Sequence, residues 1–330
     1  NMKKIVFSIL IGTGLILGLT ALSATTTNIA QLATAPVGVQ PVTVFVSGNY
    51  AYVANLNSAS ISVMDISNPN LPVEVATATV GISPRMNFVS GAYDYVANQT
   101  SNNMSVVDVS DPKHPVQVAL LAVGGHPRYV YVSGHYAYLP NSLTHNLSVV
   151  DIADPKHPAV VGTSAVGNTP YNVFVRGNYA YVANFGDKTM SIVDVSNPTN
   201  PIQIATTSVG GKPFSIQVEG RYAYVVNQAS SSISVVDVLD PHAPVQVGLV
   251  STGKSPFFLS LNGKYGYVPN NASNTISVLD FTSPTNPIQI GTYAVTGANP
   301  RGMYVRGRYA YITNATDNSF SVIDLNSKSF

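Results

Sequence analysis

From residue 29 onward, apolar and polar positions alternate with a period of two in short runs, and Gly, Asn, Ser and Pro interrupt them. No 3.6-residue period persists anywhere in this stretch, so strands are expected and helices are not. The first such unit reads clearly. Val42–Val46 alternates and ends at a tight turn, Ser47-Gly48-Asn49; Tyr50–Asn55 follows, rich in β-formers. After a Ser/Asn loop comes Ile61–Ile66, then a Pro-containing turn at residues 67–72, then Val73–Val80. The pattern predicts four short strands.

The unit recurs seven times. Its marker aspartate stands at Asp65, Asp108, Asp151, Asp194, Asp237, Asp280 and Asp324, spaced by 43 residues five times and by 44 once. Four-stranded units of roughly 40–45 residues predict the blades of a β-propeller. The seventh unit lacks its fourth strand, because only Leu325–Phe330 follow its aspartate. At the other end, Ile29–Gly38 parallels Ile202–Gly210, the fourth strand of another unit. The reading is therefore an all-β chain: a closed seven-bladed β-propeller of four-stranded blades, the N-terminal strand completing the seventh. Closure removes the open sheet edge that a solenoid would have to cap.

Residues 1–24 follow another pattern. Lys3 and Lys4 precede an apolar run, Ile5–Leu22, that ends among small residues. This is the signature of a secretory signal peptide; an uncleaved membrane anchor is the alternative, and would be the chain's one link to a membrane. The remainder, 25–330, is expected to be a single propeller domain that is secreted, periplasmic or displayed on a cell surface. With no cysteine there is neither a disulfide framework nor a thiolate metal site. Setting aside Lys3 and Lys4 leaves 14 basic against 15 acidic side chains, with no basic stripe, which argues against nucleic acid as a partner.

Two repeat families share the unit's wording. Tyr181-Val182-Ala183-Asn184, with Met190 to Pro198 (Met-Ser-Ile-Val-Asp-Val-Ser-Asn-Pro), resembles the LVIVD repeat. Tyr311-Ile312-Thr313-Asn314, with Asn274 to Asp280, is similar to the YVTN β-propeller repeat of prokaryotic surface antigens. The resemblance implies a secreted or surface-layer propeller, often an interaction scaffold, and supplies no catalytic residues.

Seven copies allow the chain to be compared with itself. Positions filled alike in every blade are read as structural. The seven Asp residues are expected to bond backbone N–H groups in turns, and the series Asn55, Asn98, Asn141, Asn184, Asn227, Asn270 and Asn314 is read as turn chemistry too. The paired tyrosines of each second strand are read as inter-blade core. Little then remains for catalysis. His126, His135 and His145 fall in different loops without ligand spacing, and no metal or cofactor site is expected.

Positions that break the symmetry are where a ligand would be read. After the Pro that opens each innermost strand, the ring reads Val42, Arg85, Arg128, Tyr171, Phe214, Phe257, Arg301. Arginine can clamp a carboxylate or phosphate, and the rings offer stacking faces. These six non-Val residues form the candidate site at the channel mouth, for an acidic glycan or peptide; the competing reading has them merely plug the channel. Asp94 is a secondary candidate, standing where five blades carry Ala and one carries Gly266. A weaker asymmetry places Arg176, Glu219, Arg221, Lys264, Arg306 and Arg308 in the turns of the opposite face. The expectation is a non-enzymatic binding scaffold with an extracytoplasmic glycan, peptide or protein partner. A self-assembling surface protein and a lactonase- or lyase-type propeller enzyme are the alternatives.

Overall fold

The computed structural model describes residues 29–325; the expected signal peptide at 1–24 lies outside them. Seven four-stranded antiparallel sheets form the blades of the ring. Blade one runs outward through Pro41–Ser47, Tyr50–Asn55, Ser60–Asp65 and Val73–Thr79. Its first two strands meet at a two-residue turn, Ser47 facing Tyr50. The turn needs Gly48 for its backbone, with φ at 57°, and not for space, since a Cβ there would touch nothing.

Burial falls from the middle of the blade outward. The second and third strands are buried along nearly their whole length on both faces, while the fourth is largely exposed. The reason lies in the packing, because the core sits between blades. One cluster joins Tyr52, Ala54, Ile61 and Val63 of blade one to Val89, Val96 and Val107 of blade two. The second tyrosine of each pair lies in these interfaces.

The ring closes as the chain ends require. Ala30–Pro36 pairs antiparallel with Ser319–Asp324, from Ala30 opposite Asp324 to Pro36 opposite Ser319, and becomes the outer strand of blade seven. Ala35 from this strand joins Phe320 and Val322 in the core shared with Val44 and Val53 of blade one.

The repeat aspartates make the expected turns: Asp65 Oδ1 accepts the Ser67 N–H at 2.9 Å, and Asp108, Asp151, Asp194, Asp237 and Asp280 do likewise two residues on. The asparagines correct the sequence reading. Asn55 is fully buried, and its Nδ2 donates to Ser60 Oγ at 3.2 Å and Ser62 Oγ at 2.8 Å on the third strand. It is a clamp inside the blade rather than an exposed turn residue. The clamp also accounts for the Gly of the Val-Gly-x-x-Pro motif, because a Cβ on Gly38 would lie 2.6 Å from Asn55 Cγ, and Gly81, Gly124, Gly167, Gly210, Gly253 and Gly297 repeat the clash.

Blades three and six depart from the pattern. Their innermost strands shrink to Tyr131–Ser133 and Ser260–Asn262, preceded by single bridges at Pro127 and Pro256. Both blades carry a proline, Pro140 or Pro269, in the second strand, where Ala, Val or Thr stands elsewhere. Proline brings no N–H to the ladder, so the residues opposite lose their pairing.

Candidate functional site

The seven residues after the opening prolines converge at one end of the channel. Val42, Arg85, Arg128, Tyr171, Phe214, Phe257 and Arg301 surround a cavity of about 40 Å³. Each enters just after the proline at the head of its blade, beside the loop between the second and third strands. That loop supplies most of the polar partners. Arg85 Nε donates to Gln99 Oε1, which also receives Arg128 Nη1 at 3.1 Å. Arg128 Nε donates to Ser142 Oγ at 3.0 Å, and Arg301 Nε to Asn299 Oδ1 at 3.0 Å.

These acceptors are all neutral. Among the described residues no carboxylate forms an ion pair with any of the three arginines. Burial, with Arg128 and Arg301 nearby, brings the Arg85 guanidinium down to about 10, and burial lowers Arg128 and Arg301 as well. All three remain cations at neutral pH. Among the described residues the mouth therefore holds three positive charges without a protein counter-ion, an arrangement that favours an incoming anion.

The aromatic arc is continuous. Tyr171 stacks on Phe185 at 4.4 Å between ring centroids, meets Phe214 edge-on at 5.3 Å, and Phe214 lies 4.4 Å from Phe257. The arc touches the cationic arc at both ends. Arg128 sits 4.4 Å over the Tyr171 ring and Arg301 lies 5.5 Å from Phe257. The six candidate residues thus line one cavity, small in volume because their own side chains crowd it.

A feature missed by the sequence reading lies one layer deeper. Tyr129 and Phe258 reach the axis from blades three and six, with ring centroids 6.4 Å apart, and border cavities on both sides. Asn172 holds the Tyr129 hydroxyl. The two rings form a septum. Beyond it lies a second cavity of about 300 Å³, lined by Phe45, Phe88, Tyr131, Phe174 and Tyr304, with Gln217 and Ser260. Two symmetry breaks in blades three and six carried the signal, an aromatic residue at the second position after the Pro and a proline in the second strand.

Asp94 takes no part in the mouth. It is fully buried between blades one and two, where Asn87 Nδ2 donates to its two carboxylate oxygens at 3.0 and 3.3 Å. Asn87 Oδ1 in turn accepts the Thr43 hydroxyl at 3.2 Å. Burial raises the carboxyl to about 8, against the lowering effect of Asn87. Its partner is the side-chain amide of Asn87.

The opposite face is less charged than its sequence suggests. Arg221 Nε lies 3.1 Å from Asp237, and Arg308 Nε donates to Asp324 at 2.6 Å, so two of its cations are spent on repeat aspartates. Arg306 donates to the Gly48 carbonyl.

A family model described as LVIVD repeat matches residues 42–80, 88–120, 124–166, 169–207, 210–252 and 299–329, leaving blade six unmatched. No curated protein matches the chain. Among solved structures, hydrazine synthase from Kuenenia stuttgartiensis is similar with a TM-score of 0.71 and 16% identity, over 86% of this chain and 95% of that one. A putative 6-phosphogluconolactonase from Bacteroides fragilis gives a TM-score of 0.71 at 18% identity, over 79% of this chain and 86% of that one. The periplasmic gluconolactonase of Pseudomonas aeruginosa gives 0.70 at 16%, with the same coverages. Identities this low establish the shared fold and nothing about chemistry.

Proposed function

The chain belongs to the LVIVD repeat family, and we propose that it is an extracytoplasmic, non-enzymatic propeller that binds the acidic group of a glycan or peptide at its channel mouth. The observation that carries this reading is the trio Arg85, Arg128 and Arg301, which face one cavity with only neutral protein acceptors among the described residues. A cavity of about 40 Å³ suits a single carboxylate. The rest of the ligand would lie on the aromatic arc and the polar loops around it. The Lys3-Lys4 and Ile5–Leu22 pattern supports export.

The lactonase-like neighbours favour an enzyme only through the fold. Among the described residues, neither cavity is lined by a carboxylate or an imidazole that could act as a general base. The test uses the chain from Thr25 on an array of acidic and neutral glycans and of peptides with free or amidated C-termini. Replacing Arg85, Arg128 and Arg301 together by Ala is expected to weaken binding of the acidic ligand by at least about a hundredfold, from the ~1.5–3 kcal/mol of each charged hydrogen bond. A correctly folded triple variant that still binds would refute the site.

A further inference from the structure

The second cavity has a chemistry unlike the mouth. Five consecutive blades give an aromatic residue at the fourth position after the Pro, and the rings touch in sequence. Tyr304 lies 5.0 Å from Phe45, Phe45 lies 4.6 Å from Phe88, Phe88 lies 5.2 Å from Tyr131, and Tyr131 lies 4.8 Å from Phe174. Blades five and six then break the arc with Gln217 and Ser260. The wall is thus aromatic on five sides and polar on two.

The polar groups have capacity to spare. Ser260 Oγ accepts the Val305 N–H at 3.0 Å, leaving its own proton free to donate. The Gln217 carboxamide makes no hydrogen bond among the described residues, although its residue lines the chamber opposite the aromatic arc. Half-buried and without a protein partner, this amide has both its donor and its acceptor available to a ligand. Burial raises the Tyr131 and Tyr304 phenols, so the wall carries no charge at neutral pH. An ion entering would lose its hydration without a counter-charge.

We infer that this chamber is a second binding site, for a small, neutral, flat ring whose edge carries an adjacent N–H and C=O, that is, a cyclic amide. The Gln217 carboxamide presents the complementary acceptor and donor side by side, the Ser260 hydroxyl adds a donor, and the aromatic arc supplies stacking and edge contacts. Its volume of about 300 Å³ falls at the small end of ligand pockets. The Tyr129–Phe258 septum separates it from the mouth, so the two sites are occupied by different chemistry.

Ligand-observed saturation-transfer NMR on the chain from Thr25 tests this, with 2-pyridone and uracil as probes and benzene and benzoate as controls. Both cyclic amides are expected to receive saturation more strongly than either control. Gln217→Ala should weaken 2-pyridone about tenfold, the loss of a pair of neutral hydrogen bonds. Gln217→Phe, which continues the aromatic arc, should abolish binding while thermal melting stays intact. The Arg85/Arg128/Arg301→Ala variant should bind 2-pyridone as the parent does, so failure of the mouth reading leaves this one standing. No transfer to either amide, benzene binding as well as 2-pyridone, or binding undiminished in Gln217→Phe would each overturn the inference.

Discussion

Asp94 shows how one residue can set a pH dependence for the whole chain. Its carboxyl is raised to about 8 in the folded protein by burial, whereas in an unfolded chain it would ionise near ~4. Between these values the folded state holds a proton that the unfolded state has lost. Stability contributed by this group is therefore full below ~4 and declines as pH rises to about 8, by at most ~1.4 kcal/mol per pH unit, then levels off. Asp65, Asp108 and Asp194 do not confuse the test, since their hydrogen bonds to Ser67, Ser110 and Ser196 hold them below the usual carboxylate range. Urea melts at pH 5 and pH 8 should show the parent weaker at pH 8, and Asp94→Asn should remove the difference; an unchanged slope in the variant refutes the account. That Asp94 was unusual could be read from the repeat, because Ala or Gly stands there in the other blades. Its partner could not. Asn87 stands where the other blades carry Val44, Val130, Val173, Ile216, Leu259 and Met303, and only strand pairing shows that the two polar exceptions meet.

At the scale of the element, the blade is held by a clamp whose parts lie in three segments. Asn98, at the end of a second strand, donates to Asn103 and Ser105 of the third strand, each at 2.9 Å, and covers Gly81 of the preceding loop. A Cβ on Gly81 would lie 2.7 Å from the Asn98 amide, a buried and doubly bonded group with no room to retreat. Gly81→Ala is expected to cost ~1–3 kcal/mol in urea unfolding, the usual penalty of overpacking. Gly91→Ala has open space around it and should cost less, ~1 kcal/mol, from its φ of 58° alone. Equal losses would show that space is not the issue at Gly81. Pro140 offers a converse test: Pro140→Ala restores an N–H to the ladder of blade three and should lengthen its inner strand from Tyr131–Ser133 back toward Pro127. Hydrogen exchange would report this as protection of the amide introduced by the substitution, and a fast-exchanging amide there would count against it. The strands were legible because alternation and turn residues are local. The clamp was read as turn chemistry because burial of an asparagine depends on what packs over it.

At the scale of the whole molecule, the ring stands on one joint made by residues almost three hundred positions apart in the chain, such as Ala30 and Asp324. Removing residues up to Pro36 would bare the edge of Ser319–Asp324 and uncover Phe320, now fully buried. Such a truncation is expected to melt at lower temperature and to associate with concentration, since an open apolar edge recruits other strands; thermal melts and light scattering would detect both. A truncated chain that remains a monomer of parental stability would contradict closure as the source of strength. The seven-fold count, the four strands per blade, the displaced N-terminal strand and the partition of the mouth into Arg and aromatic arcs were all present in the sequence, because each follows from local pattern repeated at constant spacing. What only the tertiary structure decided is where the axis lies and what meets there. Tyr129 and Phe258, far apart in the chain, divide the channel into a small cationic mouth and a larger aromatic chamber, and the latter holds Gln217 with no hydrogen-bond partner among the described residues. Residues on different blades face one another through space around a closed ring. The volume left between them depends on how the blades tilt and pack together, a distance that no local period encodes.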